Sequence, residues 1–230
     1  MESSAAGSEL SRRTWAGAVM AVAAIVVTLQ GGFLFALFWL AAGAVIFWEW
    51  RNLVASASDR TQWLAAGAVY ALAAAACPIL LRYDADYGLV AILFLFAVVW
   101  ATDIAAYFSG RYFGGPKLWP AVSPKKTWSG AFGGLICAMV AAFIVASFAA
   151  LSHGALIVLA AILSVASQAG DLFESHLKRR FGVKDASHII PGHGGLMDRL
   201  DGFIFASTLA VLIALGRGQW STPGRGLLEW

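Results

Sequence analysis

The run KDASHIIPGHGGLMDRLD, Lys184 to Asp201, gathers acids, bases and two histidines around closely spaced glycines, in a chain of which only 13% is charged. Gly192, Gly194 and Gly195 allow the backbone to come close to a ligand, and a glycine turn feeding a helix start is a ready anion site. Asp198 and Asp201 follow three apart on one helical face, with Arg199 turned away. Acids in a first helical turn are in themselves ordinary caps and dipole partners. Beside an anion they make chemical sense with a hard cation between them, since Mg²⁺ takes few protein carboxylates and leaves positions for phosphate oxygens. The chemistry this spacing points to is metal-assisted handling of phosphate groups.

Three further segments carry matching residues. Asp171, Glu174, Ser175 and Lys178 are spaced i, i+3, i+4 and i+7, on one face of a helix. Asp171 follows SVASQAG at membrane depth, where an ionised acid costs about 2.5–3.5 kcal/mol and needs an interior position and a partner. Glu174 with Lys178 reads as an ordinary i,i+4 pair, which leaves Asp171 unpaired and favours function for it. In ATDIAAYFSGRYFGG, Asp103 and Tyr107 are also i,i+4; the plain alternative is an interfacial acid and a belt tyrosine. In SPKKTWSG, Ser123 and Pro124 read as an N-cap and N1 pair. That places Lys125 and Lys126 in a first helical turn, where the dipole disfavours cations. Bound phosphates would account for them, and so would simple marking of the cytoplasmic side.

The histidines are less informative. His193 stands equally as a general base or phosphate donor and as a loop residue bonded to backbone. His176 and His188 read as surface residues, His153 lies on the other side of the membrane, and no His/Cys set has zinc spacing.

The elements that position these residues are apolar helices. The chain is 60% hydrophobic with a mean hydropathy of +0.75. Seven apolar blocks run Thr14 to Leu29, Phe33 to Trp48, Trp63 to Leu81, Tyr87 to Phe108, Trp128 to Leu151, Ala155 to Phe173 and Phe203 to Leu215. A bilayer crossing takes about 20 residues, and continuous blocks in lipid imply helices. The expected fold is all-α, a polytopic membrane helical bundle of about seven transmembrane helices. With the amino terminus inside, 13 of the 16 lysines and arginines fall on the cytoplasmic side. The pI near 9.0 is then a consequence of topology and calls for no nucleic acid. Cys77 and Cys137 lie in apolar blocks and read as small core residues. Asp→Asn at Asp84 or Asp86, outside, is expected to change activity little. The connectors 30–32 and 152–154 predict tight hairpins, whereas 109–127 and 174–202 hold most of the charge, both inside.

These segments resemble the phosphatidate cytidylyltransferases (CDP-diacylglycerol synthases). SHLKRRFGVKDASHIIPGHGGLMDRLD, Ser175 to Asp201, is similar to that family's signature, and TDIAAYFSGRYFG and SPKKTWSG to its other shared segments. The resemblance spans about Thr102 to Gly202. It implies a Mg²⁺-dependent integral membrane enzyme that joins CTP and phosphatidate into CDP-diacylglycerol and pyrophosphate. It implies Asp171 and Asp198 as metal-binding acids in a two-cation centre, and a homodimer. Lys178, Asp201 and His193 complete the implied catalytic set. The implied substrate-binding residues are Asp103 and Tyr107, then Ser123, Lys125, Lys126 and Thr127, then Ser175, Arg179, Lys184, Asp185, Gly194, Gly195 and Arg199. The division expected is 1–100 for amino-terminal helices and 101–230 for the catalytic half, in a bacterial-type inner membrane with the site facing the cytoplasm. Family members often carry more helices before the equivalent of Thr102. A cytidylyltransferase for another phosphorylated membrane lipid is the near alternative. An ion-coupled transporter is the distant one, and it would need acids on both sides of the midplane.

Overall fold

The computed structural model describes residues 17–190 and 194–230. Helix α1 (Gly17–Gln30) is followed by α2 (Gly32–Leu53), α3 (Arg60–Arg82) and α4 (Gly88–Phe113). A hairpin of β1 (Lys117–Trp119) and β2 (Ser123–Thr127) precedes α5 (Trp128–Ala149), α6 (His153–Arg180), α7 (Met197–Gly216) and the short α8 (Pro223–Leu228). Helices α2 to α7 are long and apolar enough to cross a membrane, and α1 is shorter. The bundle is therefore all-α and polytopic, with six full-length spans among the described residues. Gly31 alone separates α1 from α2, and α5 turns into α6 within three residues, as the short connectors predict.

In lipid, helices associate through close packing and internal polar contacts, since lipid tails are as apolar as leucine. Helix α5 shows how. Its buried positions are Gly130, Gly134, Ala138, Ala142 and Ala146, a ridge of small residues at i,i+4 spacing. Phe132, Ile136, Val140 and Phe143 face outward. A Cβ on Gly134 would lie 2.8 Å from the Thr102 carbonyl of α4, so the small ridge sets how near α4 and α5 approach. Polar contacts tie in α6: the Thr102 hydroxyl bonds Ser164 Oγ at 2.9 Å, and Gln168 donates to the Ala131 carbonyl at 3.3 Å. Trp39 of α2 stacks on Phe203 of α7 at 5.0 Å in the main core. A second buried cluster, with Ile46, Trp50, Tyr70, Leu177 and Met197, has Ala186 and Leu196 packed against it.

The two ends of the bundle differ. At one, Arg82 donates to the Thr28 carbonyl and Asp84 accepts from the backbone N–H groups of Asp86, Tyr87 and Arg225. At the other, α2 meets Ser187, Leu196 and Met197, β2 meets α6, and Arg180 lies over the ring of Trp63. The basic connectors gather at this second end.

Three sequence expectations change. Ser123 and Pro124 do not start a helix: they open β2, with Ser123 paired to Trp119, and α5 begins at Trp128. Its cap is Thr127, with an extended backbone, whose Oγ1 accepts the N–H of Gly130 at 3.1 Å. Helices α4 and α6 run on to Phe113 and Arg180, so both connectors are shorter than expected, while Asp171 to Lys178 are helical as their spacing implies. Cys77 is buried as expected, but Cys137 is exposed on the outer face of α5. Asp84, expected only to matter little to activity, is buried and holds three backbone donors, so it is structural.

Candidate active site

A cavity of about 770 Å³ opens at the end where the basic connectors meet. Helix α4 brings Asp103, Tyr107 and Arg111 to it, the hairpin Lys117, Lys125, Lys126 and Thr127, α6 Asp171, and α7 Asp198, Arg199 and Asp201. The sequence spacing accounts for much of this. Asp103 and Tyr107 are one turn apart on α4, and Asp198 and Asp201 nearly so on α7, so each pair presents one face. Arg199 is a correction: expected to point away, it lines the same cavity.

The face of α6 divides its charges. Asp171 turns to the hairpin, where Lys126 pairs with it, so the acid expected to lack a partner has one. Three residues on, Glu174 is buried and pairs with Lys178 at 2.7 Å, while Lys178 also bonds Asp198 of α7. The i,i+4 pair expected is present, and Asp198 extends it to an interior triad of two acids and one lysine. A charge removed from water to this degree needs a partner, and Lys178 serves two. The second oxygen of Asp198 accepts the N–H groups of Ala186 at 3.0 Å and Gly195 at 2.7 Å.

The remaining expected residues that the structure describes lie outside the cavity wall. Ser175 is half-buried on α6, and Ser123 sits in the hairpin. Arg179 and Lys184 are exposed, with Arg179 directed at the Val183 carbonyl. Asp185 is exposed beside Gly194, and Gly194 bridges to Ile190. Gly195 is buried against a carboxylate of the protein itself, that of Glu49. His193, with Pro191 and Gly192, falls outside the described residues. His176 is exposed and stacks on Trp119.

Glu49 is the residue sequence reasoning missed. It is fully buried near the end of α2 and accepts hydrogen bonds from Ser187, Leu196 and Met197. Its signal was available: an acid set between Trp48 and Trp50 in an apolar run invites the same question as Asp171.

Four carboxylates, Asp103, Asp171, Asp198 and Asp201, therefore share one cavity with the cations of Arg111, Lys117, Lys125, Lys126 and Arg199. The carboxylates are an all-oxygen donor set of the kind a hard divalent cation takes, so the residues fit Mg²⁺. Among the described residues no three His, Cys, Asp or Glu side chains are already clustered as a metal site, in keeping with lysines standing against Asp171 and Asp198. The cationic side chains suit the oxygens of phosphate groups.

The profile of the cytidylyltransferase family matches residues 59–215. A phosphatidate cytidylyltransferase of Brucella suis biovar 1 (strain 1330) is 47% identical over 201 residues, 87% of this chain and 73% of that protein. One from Brucella abortus biovar 1 (strain 9-941) is 46% identical over the same shares of both chains. Another, from Staphylococcus saprophyticus, is 46% identical over 130 residues, 56% of this chain and 50% of its own length.

Proposed function

The chain belongs to the cytidylyltransferase family, and on that footing we propose that it transfers the cytidylyl group of CTP to phosphatidate, giving CDP-diacylglycerol and pyrophosphate for phospholipid synthesis. The observation that carries the reading is one cavity, at one end of a membrane bundle, whose wall sets four carboxylates among five cationic side chains. The acids lining it come from α4, α6 and α7 at that single end, which speaks against a path of acids through the membrane.

An oxygen of the phosphatidate phosphate attacks the α-phosphorus of CTP. The new P–O bond forms as the bond to the bridging oxygen breaks, and pyrophosphate leaves with the electron pair. A phosphate monoester is already a usable nucleophile near neutral pH, so the protein's task is to position it and to stabilise charge. Lys117, Lys125 and Lys126 come from one hairpin and, with Arg111, would hold the triphosphate oxygens. Lys126 would exchange Asp171 for a phosphate as the nucleotide binds. Lys178 pairs with Asp198 and orients it from behind. Asp171 and Asp198 would hold Mg²⁺, and a second cation would draw on Asp103 and Asp201. When bound, Mg²⁺ offsets the repulsion between two phosphate anions and the charge growing on the leaving group.

The basic end faces the cytoplasm, where CTP is, in an inner membrane. The enzyme works as a homodimer, which light scattering of the detergent-solubilised protein would test. For lipid choice, α-labelled CTP is offered with phosphatidate, a polyisoprenyl phosphate or an ether-linked analogue. Label should pass fastest into the phosphatidate product. Faster labelling of another lipid phosphate would overturn the assignment.

A further inference from the structure

Asp198 is one residue into α7, so its place in the cavity depends on what fixes the start of that helix. Leu196 is the N-cap of α7 and supplies no side-chain cap, and Met197 is the first helical residue. The N–H groups of both lack an intrahelical acceptor, and buried N–H groups need one. Glu49 provides it from α2, in the other half of the chain. Its Oε1 accepts from Leu196 N at 2.8 Å and Ser187 Oγ at 2.6 Å, and its Oε2 from Met197 N at 2.7 Å. An anionic group here also faces the positive end of the α7 dipole.

The two carboxylates interleave along one loop. Glu49 takes residues 187, 196 and 197, and Asp198 takes Ala186 and Gly195. A Cβ on Gly195 would lie 2.5 Å from Glu49 Oε1 and 3.0 Å from Ser187 Oγ, so the last glycine of GHGG is required by Glu49. A plain packing role for position 49 would be met by an apolar side chain, and it would leave all three donors without an acceptor. We infer that Glu49 is a positioning residue of the reaction, fixing the start of α7 so that Asp198, Arg199 and Asp201 face the cavity. The inference rests on the nucleotidyl-transfer reading above. Residues that orient site ligands from behind typically cost ~10–100-fold in activity or metal affinity when changed.

Glu49→Gln tests it, because the amide keeps the size but turns a donor towards at least one of the three N–H or O–H groups. The expected variant folds with a lowered melting temperature, as an unmet buried donor requires, keeps its KM for CTP, and loses ~10–100-fold in kcat of the folded protein. Its amides at 195–198 exchange hydrogen faster without any substrate or metal, while those of α2 and α3 do not change. Glu49→Asp, which keeps the charge, should recover part of kcat. Gly195→Ala should be less harmful beside Glu49→Asp than alone, because the shorter acid withdraws from the new Cβ. Wild-type kcat in folded Glu49→Gln overturns the inference. So does a loss of kcat that only follows the folded fraction, with exchange at 195–198 unchanged. Should Glu49→Gln not fold, Ser187→Ala decides: lowered kcat with faster local exchange supports the role, and full kcat overturns it. A wild-type protein without product would fail the parent reading, whereas an active wild type matched by Glu49→Gln fails this inference alone.

Discussion

Asp171 and Asp198 occupy different surroundings, and removing their charge should separate activity from stability. Asp171 is partly exposed and pairs with Lys126, so Asp171→Asn should change stability by less than about 1 kcal/mol. Asp198 is nearly buried, with one oxygen on Lys178 and the other on two backbone N–H groups. In Asp198→Asn the new amide must face one of these donors, at a cost of about 1–3 kcal/mol. Both variants should lose activity by orders of magnitude, because electrostatic stabilisation is usually the largest catalytic term. Turnover against Mg²⁺ in folded protein checks this, and near-normal turnover with an unchanged Mg²⁺ requirement in both would end the metal assignment. At this scale the sequence was informative where residues were close in the chain. Asp103 and Tyr107, and Asp198 and Asp201, reach one cavity as their helical spacing implies. The partner of Asp171 and the role of Glu49 stayed hidden because each depends on a residue far away in the chain, which periodicity does not report.

At the scale of elements, the hairpin is what the sequence concealed. SPKKT has a proline, two lysines and little β-propensity, and Ser-Pro is a common helix opening, so local signals favoured a helix start. Pairing with Lys117–Trp119 overrides them. The consequence for function is direct: the strand carries Lys125 and Lys126 to the cavity, with Lys126 reaching Asp171. Replacing both lysines by alanine should raise the KM for CTP while leaving membrane insertion intact, and unchanged CTP kinetics would return them to markers of topology. On the opposite side of the bundle, Asp84 ties the α3–α4 turn to α8 through Arg225 N at 2.8 Å. Asp84→Ala leaves three N–H groups without their acceptor, so thermal melting should fall while kcat of the folded fraction holds. Asp86→Asn should alter neither. Equal melting of Asp84→Ala and wild type would remove Asp84 from the account of the outer end.

The whole molecule is a helical bundle polarised along its axis, with its basic connectors and its acid-lined cavity at one end. Long apolar runs made the helices legible, since the bilayer imposes both their length and their regularity. The ends were less so: α4 and α6 continue into polar sequence, with Arg111 of α4 lining the cavity and Lys178 of α6 on Asp198. Orientation is testable with single cysteines in a background without Cys77 and Cys137. A cysteine at Lys184 should be labelled only from the cytoplasmic side and one at Asp86 only from the other; the reverse pattern would invert the topology. The most direct test of the central claim uses the purified protein with CTP, Mg²⁺ and phosphatidate, measuring CDP-diacylglycerol and pyrophosphate together. Wild type should form the two in equal amounts and folded Asp171→Asn should form almost none. No product from wild type, under conditions that support a known synthase, would contradict it.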